Sequence, residues 1–147
     1  MELSLIIVLL VGLLGGAAVG LQSPLAASIA TRLGPLESVF IVHMSGALLS
    51  FLILLVQRGG RLAQAVTLPW YMLLSGGFGI IVIMAVSFAI PRVGALGATL
   101  LILAGQIIIS LAFDHFGWLE LEIRPFNLQA LLGLSLVLIG TLLVLKR

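Results

Sequence analysis

With 147 residues, 62% of them hydrophobic and only 8% charged, this chain has a mean hydropathy of +1.36 and cannot supply the polar surface of a water-soluble fold. Its pI near 10.0 reflects a formal charge of only +2, carried by cations scattered singly through the loops, so a nucleic-acid surface built on clustered Lys and Arg is excluded. The absence of cysteine removes disulfides, thiolate chemistry and Cys-based metal sites together.

Five apolar stretches follow one another at residues 3–21, 36–56, 70–90, 94–113 and 128–145. Each is close to the ~20 residues that cross ~30 Å of hydrocarbon as a helix. The predicted fold is therefore all-α: a polytopic integral membrane protein with five transmembrane helices forming a single domain over residues 1–147. The connections leave no room for a soluble domain. The first stretch, ending in small residues, also has the look of a cleaved secretory signal. Glu2 in place of a basic residue, and the length of the apolar run, argue for retention of Met1 and the segment after it.

The first stretch extends through Gln22, Ser23 and Pro24 into a second apolar run ending at Leu33. One helix over residues 3–33 would be ~46 Å long, more than an untilted span requires. Ser23 before Pro24 is the N-cap and first-turn pattern that starts a helix, and Pro24 removes a backbone donor. The expectation is a kink or break near residues 22–24, either a bend in a tilted helix or a discontinuous helix lining a site. Gly34 and Pro35 close this unit, and Glu37 sits in the first turn of the next helix, at the positive end of its dipole.

The second stretch contains His43, the one ionisable residue clearly inside a span, on the same face as Gly46 and Ser50. It reads as a packing histidine or as a protonatable switch. Trp70, after Pro69, is an interfacial anchor for the third stretch, and Pro91-Arg92-Val93-Gly94 predicts a tight turn into the fourth. On the fourth, Gln106, Ser110 and Asp114 recur at four-residue intervals, preceded by Thr99, and form a polar stripe that must face protein or water. The stripe reads either as an interhelical hydrogen-bond seam or as a substrate-lining face. Small residues at the same spacing, Gly12, Gly16 and Gly20 first among them, argue for tight helix assembly.

The basic residues bear on orientation. Arg58, Arg61 and Arg124 fall on the N-terminal side of the membrane, and Arg32, Arg92, Lys146 and Arg147 on the other, three against four. Because topology follows that asymmetry, the chain carries no strong orientation signal, and it inserts both ways or is fixed by a partner or a few decisive loop charges. Neither a G-x-S-x-G, an H-E-x-x-H nor a Walker loop is present, so catalysis has no support and no cofactor or metal is expected.

Several strings resemble a known family: Gln22-Ser23-Pro24-Leu25, Pro69-Trp70, Gly76-Gly77-Phe78-Gly79, Ile90-Pro91-Arg92-Val93-Gly94-Ala95, and above all Gly105-Gln106 followed by Ser110 and Asp114-His115-Phe116-Gly117. Together they are similar to the YdcZ-type five-helix family of the drug/metabolite transporter superfamily. The resemblance implies a small bacterial inner-membrane exporter that works as a homodimer, as a heterodimer with a paralogous five-helix subunit, or as half of a ten-helix relative. This chain departs from the family in having Ala26 and Ala27 where Asn is usual, and His43 where an aromatic residue is usual. Unlike the four-helix multidrug exporters of the superfamily, it has no carboxylate in the middle of helix one.

The expected function is that of a small-molecule transporter subunit in an inverted or pseudo-symmetric dimer. Gln22, Ser23, His43, Gln106, Ser110 and Asp114 are the candidate substrate contacts, and Arg92 and Trp70 act in gating or at the interface. A half-helix N-terminus after Ser23 would add free backbone donors. A non-transporting scaffold or a small channel would use the same packing glycines and polar stripe.

Overall fold

The computed structural model of the chain describes residues 2–146, with side chains from Ser4. Met1, whose retention the sequence predicts, and Arg147, one of the counted basic residues, lie outside the described residues. Water is scarce in hydrocarbon, so each spanning segment must satisfy its backbone internally. The described chain answers with helices throughout: α1 over Glu2–Leu33, α2 over Pro35–Val56, a short α3 over Trp70–Leu73, α4 over Ser75–Phe116 and α5 over Leu128–Leu145. Four helical stretches, Ser4–Leu33, Pro35–Val56, Trp70–Phe116 and Leu128–Leu145, are long and apolar enough to cross a membrane. Most large apolar side chains point outward, Leu13 and Leu14 at 71% exposure among them, as expected where lipid takes the place of a protein core.

One alternative and one expectation are corrected. The helical backbone of α1 runs unbroken from Glu2 to Leu33 with Pro24 inside it, so of the two readings of residues 22–24 the discontinuous helix is excluded, together with a half-helix N-terminus after Ser23, and a bend within one continuous helix stands. Instead of capping a new helix, the Ser23 hydroxyl turns back and donates to the Val19 carbonyl at 2.8 Å. The proposed four-residue turn at Pro91-Gly94 is also narrower than expected. Helix α4 continues through Pro91, Arg92 and Val93, and only Gly94 leaves helical geometry, with φ 74° and ψ 167°. That region of backbone space is essentially reserved for glycine. The stretch Trp70–Phe116 has 47 residues. At 1.5 Å per residue it would measure ~70 Å, more than twice the ~30 Å hydrocarbon layer.

The chain divides into two compact units after Phe88. In the first unit, Gly34 ends α1 with φ 124°, and Pro35 begins α2 at once with its fixed φ and its missing donor at a position where no donor is needed. A single residue of linkage makes α1 and α2 an antiparallel hairpin. Small residues let their backbones approach: Ala26 is fully buried and Ala27 is 3% exposed. Fully buried Ser38 donates its hydroxyl across the pair to the Ala26 carbonyl at 2.7 Å. Ala26 and Val39 then pack with Ile83 of α4, with Val42 at the margin, into the apolar core of this unit. Ser87 lies one turn beyond Ile83 on the same face of α4, buried and with its hydroxyl unbonded.

In the second unit, the part of α4 after Gly94 packs at Gly97 against Leu145 of α5. Gly97, Ala98, Ala104 and Thr141 are the buried ones among its described residues. Gly117, left-handed at φ 62°, ends α4, and the connection folds back through an Arg124 N–H to Asp114 carbonyl bond at 2.7 Å. Asn127 then caps α5 by accepting from the Ala130 N–H at 2.7 Å.

Candidate functional site

Where α1, α2 and α4 of the first unit meet, the bundle leaves an open-sided cavity of about 350 Å³. Its walls are Gln22 of α1, Val42, His43, Gly46 and Ala47 of α2, and Gly79, Val82 and Ile83 of α4. The apolar members follow from helical spacing, since Val42, Gly46 and Ala47 share one face of α2 and Gly79 and Ile83 one face of α4. His43 is eight residues into α2 and Gln22 eleven before the end of α1. At 1.5 Å per residue those positions are ~12 and ~16 Å from the hairpin turn along their helices, which is mid-depth in a ~30 Å hydrocarbon layer whose edge lies at that turn.

The His43 ring is oriented by its own helix. Nδ1 lies 2.8 Å from the Val39 carbonyl, an acceptor with no proton to give, so Nδ1 carries the N–H. In the neutral ring Nε2 is then a bare lone pair, and it is turned toward α4 at Gly79. Glycine is what makes room for it: a Cβ on Gly79 would overlap Nε2 and lie 3.2 Å from Cε1. The Gln22 amide, the other polar group on the wall, makes no hydrogen bond to another described residue. With the ring neutral, the cavity thus presents one acceptor and one amide, neither bonded to another described residue, in an apolar setting whose lining holds no carboxylate, ammonium or guanidinium.

Of the predicted site residues, the structure brings Gln22 and His43 into one cavity. Ser23, committed to the Val19 carbonyl, is not among its lining residues. Gln106 and Ser110 are exposed on α4 in the second unit, and their side chains make no hydrogen bond to another described residue. Asp114, a turn further on, borders a smaller cavity of about 190 Å³ with Leu111, Arg124, Phe126 and Asn127. Here Arg124 pairs with Glu122 at 2.9 Å, and that bond holds its guanidinium above its ordinary value. His115 stacks on Phe126 at 4.3 Å and accepts the Phe126 N–H at 3.3 Å. Arg92 is exposed two residues before the Gly94 irregularity, and Trp70 is 73% exposed at the start of α3, edge-on to Tyr71. Sequence reasoning read Gly79 only as a packing residue, although the run Gly76-Gly77-Phe78-Gly79 marks the place where α4 is stripped of side chains. It left Ser38 and Ser87 unremarked.

Long apolar helices with an open-sided cavity and two polar groups between them describe a multi-pass membrane protein. The family model described as "Putative inner membrane exporter, YdcZ" matches residues 7–143, and the chain belongs to that family. It is accordingly a multi-pass inner-membrane protein, and its family is one of transporters rather than enzymes. No curated protein and no solved structure matches the chain.

Proposed function

We propose that the chain is one subunit of an inner-membrane small-molecule exporter and that its substrate occupies the Gln22–His43 cavity. The cavity carries this reading. Its volume is in the range of small-molecule sites, and it places two unspent polar groups at mid-depth among apolar walls. Transport also needs a barrier on one side of the site. Ala26, Val39 and Ile83 supply a candidate, because they pack one turn from His43 and Gly79 toward the Gly34 end. Beyond them lies the unbonded Ser87 hydroxyl, a polar position separated from the cavity by an apolar plug.

The same reading takes Trp70–Phe116 as two spans that meet at Gly94, giving five in all. An odd count permits an inverted dimer, with a second copy or with a paralogous five-helix subunit. Gly12, Gly16 and Gly20 support close assembly, since a Cβ on any of them would meet nothing within 4 Å. In that dimer the exposed Gln106 and Ser110 find partners or substrate, and Arg92, Trp70 and Asp114 act near the membrane surfaces.

The test is flux in proteoliposomes. Gln22→Leu and His43→Phe should each preserve insertion and lower flux at least tenfold, as expected when a polar contact of more than ~1.4 kcal/mol is removed from a substrate. Unchanged flux in both would remove the cavity from the transport path. Gln106→Leu separates the two uses of the stripe: lost flux with the dimer intact assigns it to substrate, and loss of the dimer assigns it to packing.

A further inference from the structure

The chemistry of the cavity wall also restricts what fits there, and this inference rests on the transport reading above. A desolvated cation needs a carboxylate or aromatic faces, and an anion needs a guanidinium, an ammonium or several converging N–H groups. The wall, built from Gln22, His43, two glycines and apolar side chains, has none of these. The unbroken α1 removes the remaining source of anion-binding donors, because the amides after Ser23 stay inside the helix. What the wall does present, with the ring neutral, is the Nε2 lone pair of His43, an acceptor because Nδ1 carries the N–H bonded to the Val39 carbonyl. The Gln22 amide can accept or donate.

We infer that the cavity selects an uncharged, largely apolar small molecule carrying an N–H or O–H group that donates to His43 Nε2, with Gln22 meeting a second polar group. Discrimination comes from that one donor. A buried acceptor left without its partner loses its bond to water and gains nothing, so a ligand lacking the donor is rejected more strongly than its shape implies. Charged analogues pay desolvation with no counter-charge to recover it.

The experiment uses the full chain in nanodiscs and several apolar scaffolds. Each is prepared as a secondary amide, its N-methyl amide, a quaternary ammonium and a carboxylate, and binding is measured by equilibrium dialysis. For at least one scaffold the secondary amide should bind about tenfold or more tightly than the N-methyl amide, and more tightly than either ion. That ratio should fall to about one in His43→Phe and be partly restored in His43→Gln, which keeps an acceptor. Equal binding of both amides, tighter binding of either ion, or no binding of any secondary amide overturns the inference. Flux of the same compounds in proteoliposomes separates the two claims. Donor-dependent binding without flux upholds the substrate class and sinks the transporter reading, whereas flux confined to the ions does the reverse.

Discussion

At the residue scale, the arrangement turns on a histidine and the glycine facing it. The sequence places His43 inside a span, and its residue type alone allows a packing role or a chemical one. The difference is made by its hydrogen bond to the Val39 carbonyl, which aims Nε2 across the helix gap, and by the missing side chain at Gly79. A substitution at the glycine therefore acts on the histidine. Gly79→Ala should leave helix content unchanged, because alanine is the better helix former by about 1 kcal/mol. The new methyl would meet the ring nitrogen, forcing His43 to rotate away from its bond to Val39. Apparent substrate affinity should fall about tenfold, by loss of the placed acceptor. Unchanged affinity in a well-folded Gly79→Ala protein would mean that the orientation of His43 has no role in binding.

At the element scale, what was legible in the sequence was whatever the bilayer imposes on every chain. The stretches 36–56 and 128–145 coincide almost residue for residue with Pro35–Val56 and Leu128–Leu145, because apolar length is a requirement of the solvent. Local backbone detail was less legible. Pro24 reads as a break by the rules of soluble helices, yet α1 absorbs it, as membrane helices do when side chains and neighbouring helices make up for the lost bond. Pairing was not legible at all. That Gln22 shares a cavity with His43, and that Ser38 reaches Ala26, depends on the register of α1 against α2, which neither helix encodes alone. The Ser38 bond gives the pairing a measurable handle. Ser38→Ala should lower stability by about 0.6 kcal/mol, the average for hydrogen bonds between membrane helices, and by no more than about 2. Denaturant titration in mixed micelles reads that change, and a cost well above it would show that Ser38 does more than join the hairpin.

At the scale of the whole molecule, the question is which way up the chain sits, and whether one orientation is enough. Insertion is biased by Lys and Arg in short loops near the ends of the spans. With five spans, Arg58, Arg61 and Arg124 fall on one side and Arg32, Arg92, Lys146 and Arg147 on the other, a difference of a single charge. Arg58 and Arg61 lie in an exposed loop that carries left-handed Arg58, Gly59 and Gly60 and ends in the turn Leu62–Thr67. Added charge there should be tolerated by the fold and felt by the insertion machinery. Two or three extra lysines at residues 62–66 should hold that loop in the cytoplasm and send a C-terminal reporter to the opposite face. The same number placed after Lys146 should reverse both. In the unmodified chain expressed alone, reporters at the C-terminus should register on both faces in comparable amounts, since one charge is too small a bias to exclude either orientation. A reporter confined to one face would rule out the antiparallel homodimer. An inverted assembly would then require a second, oppositely oriented five-helix subunit, whose co-expression should restore export.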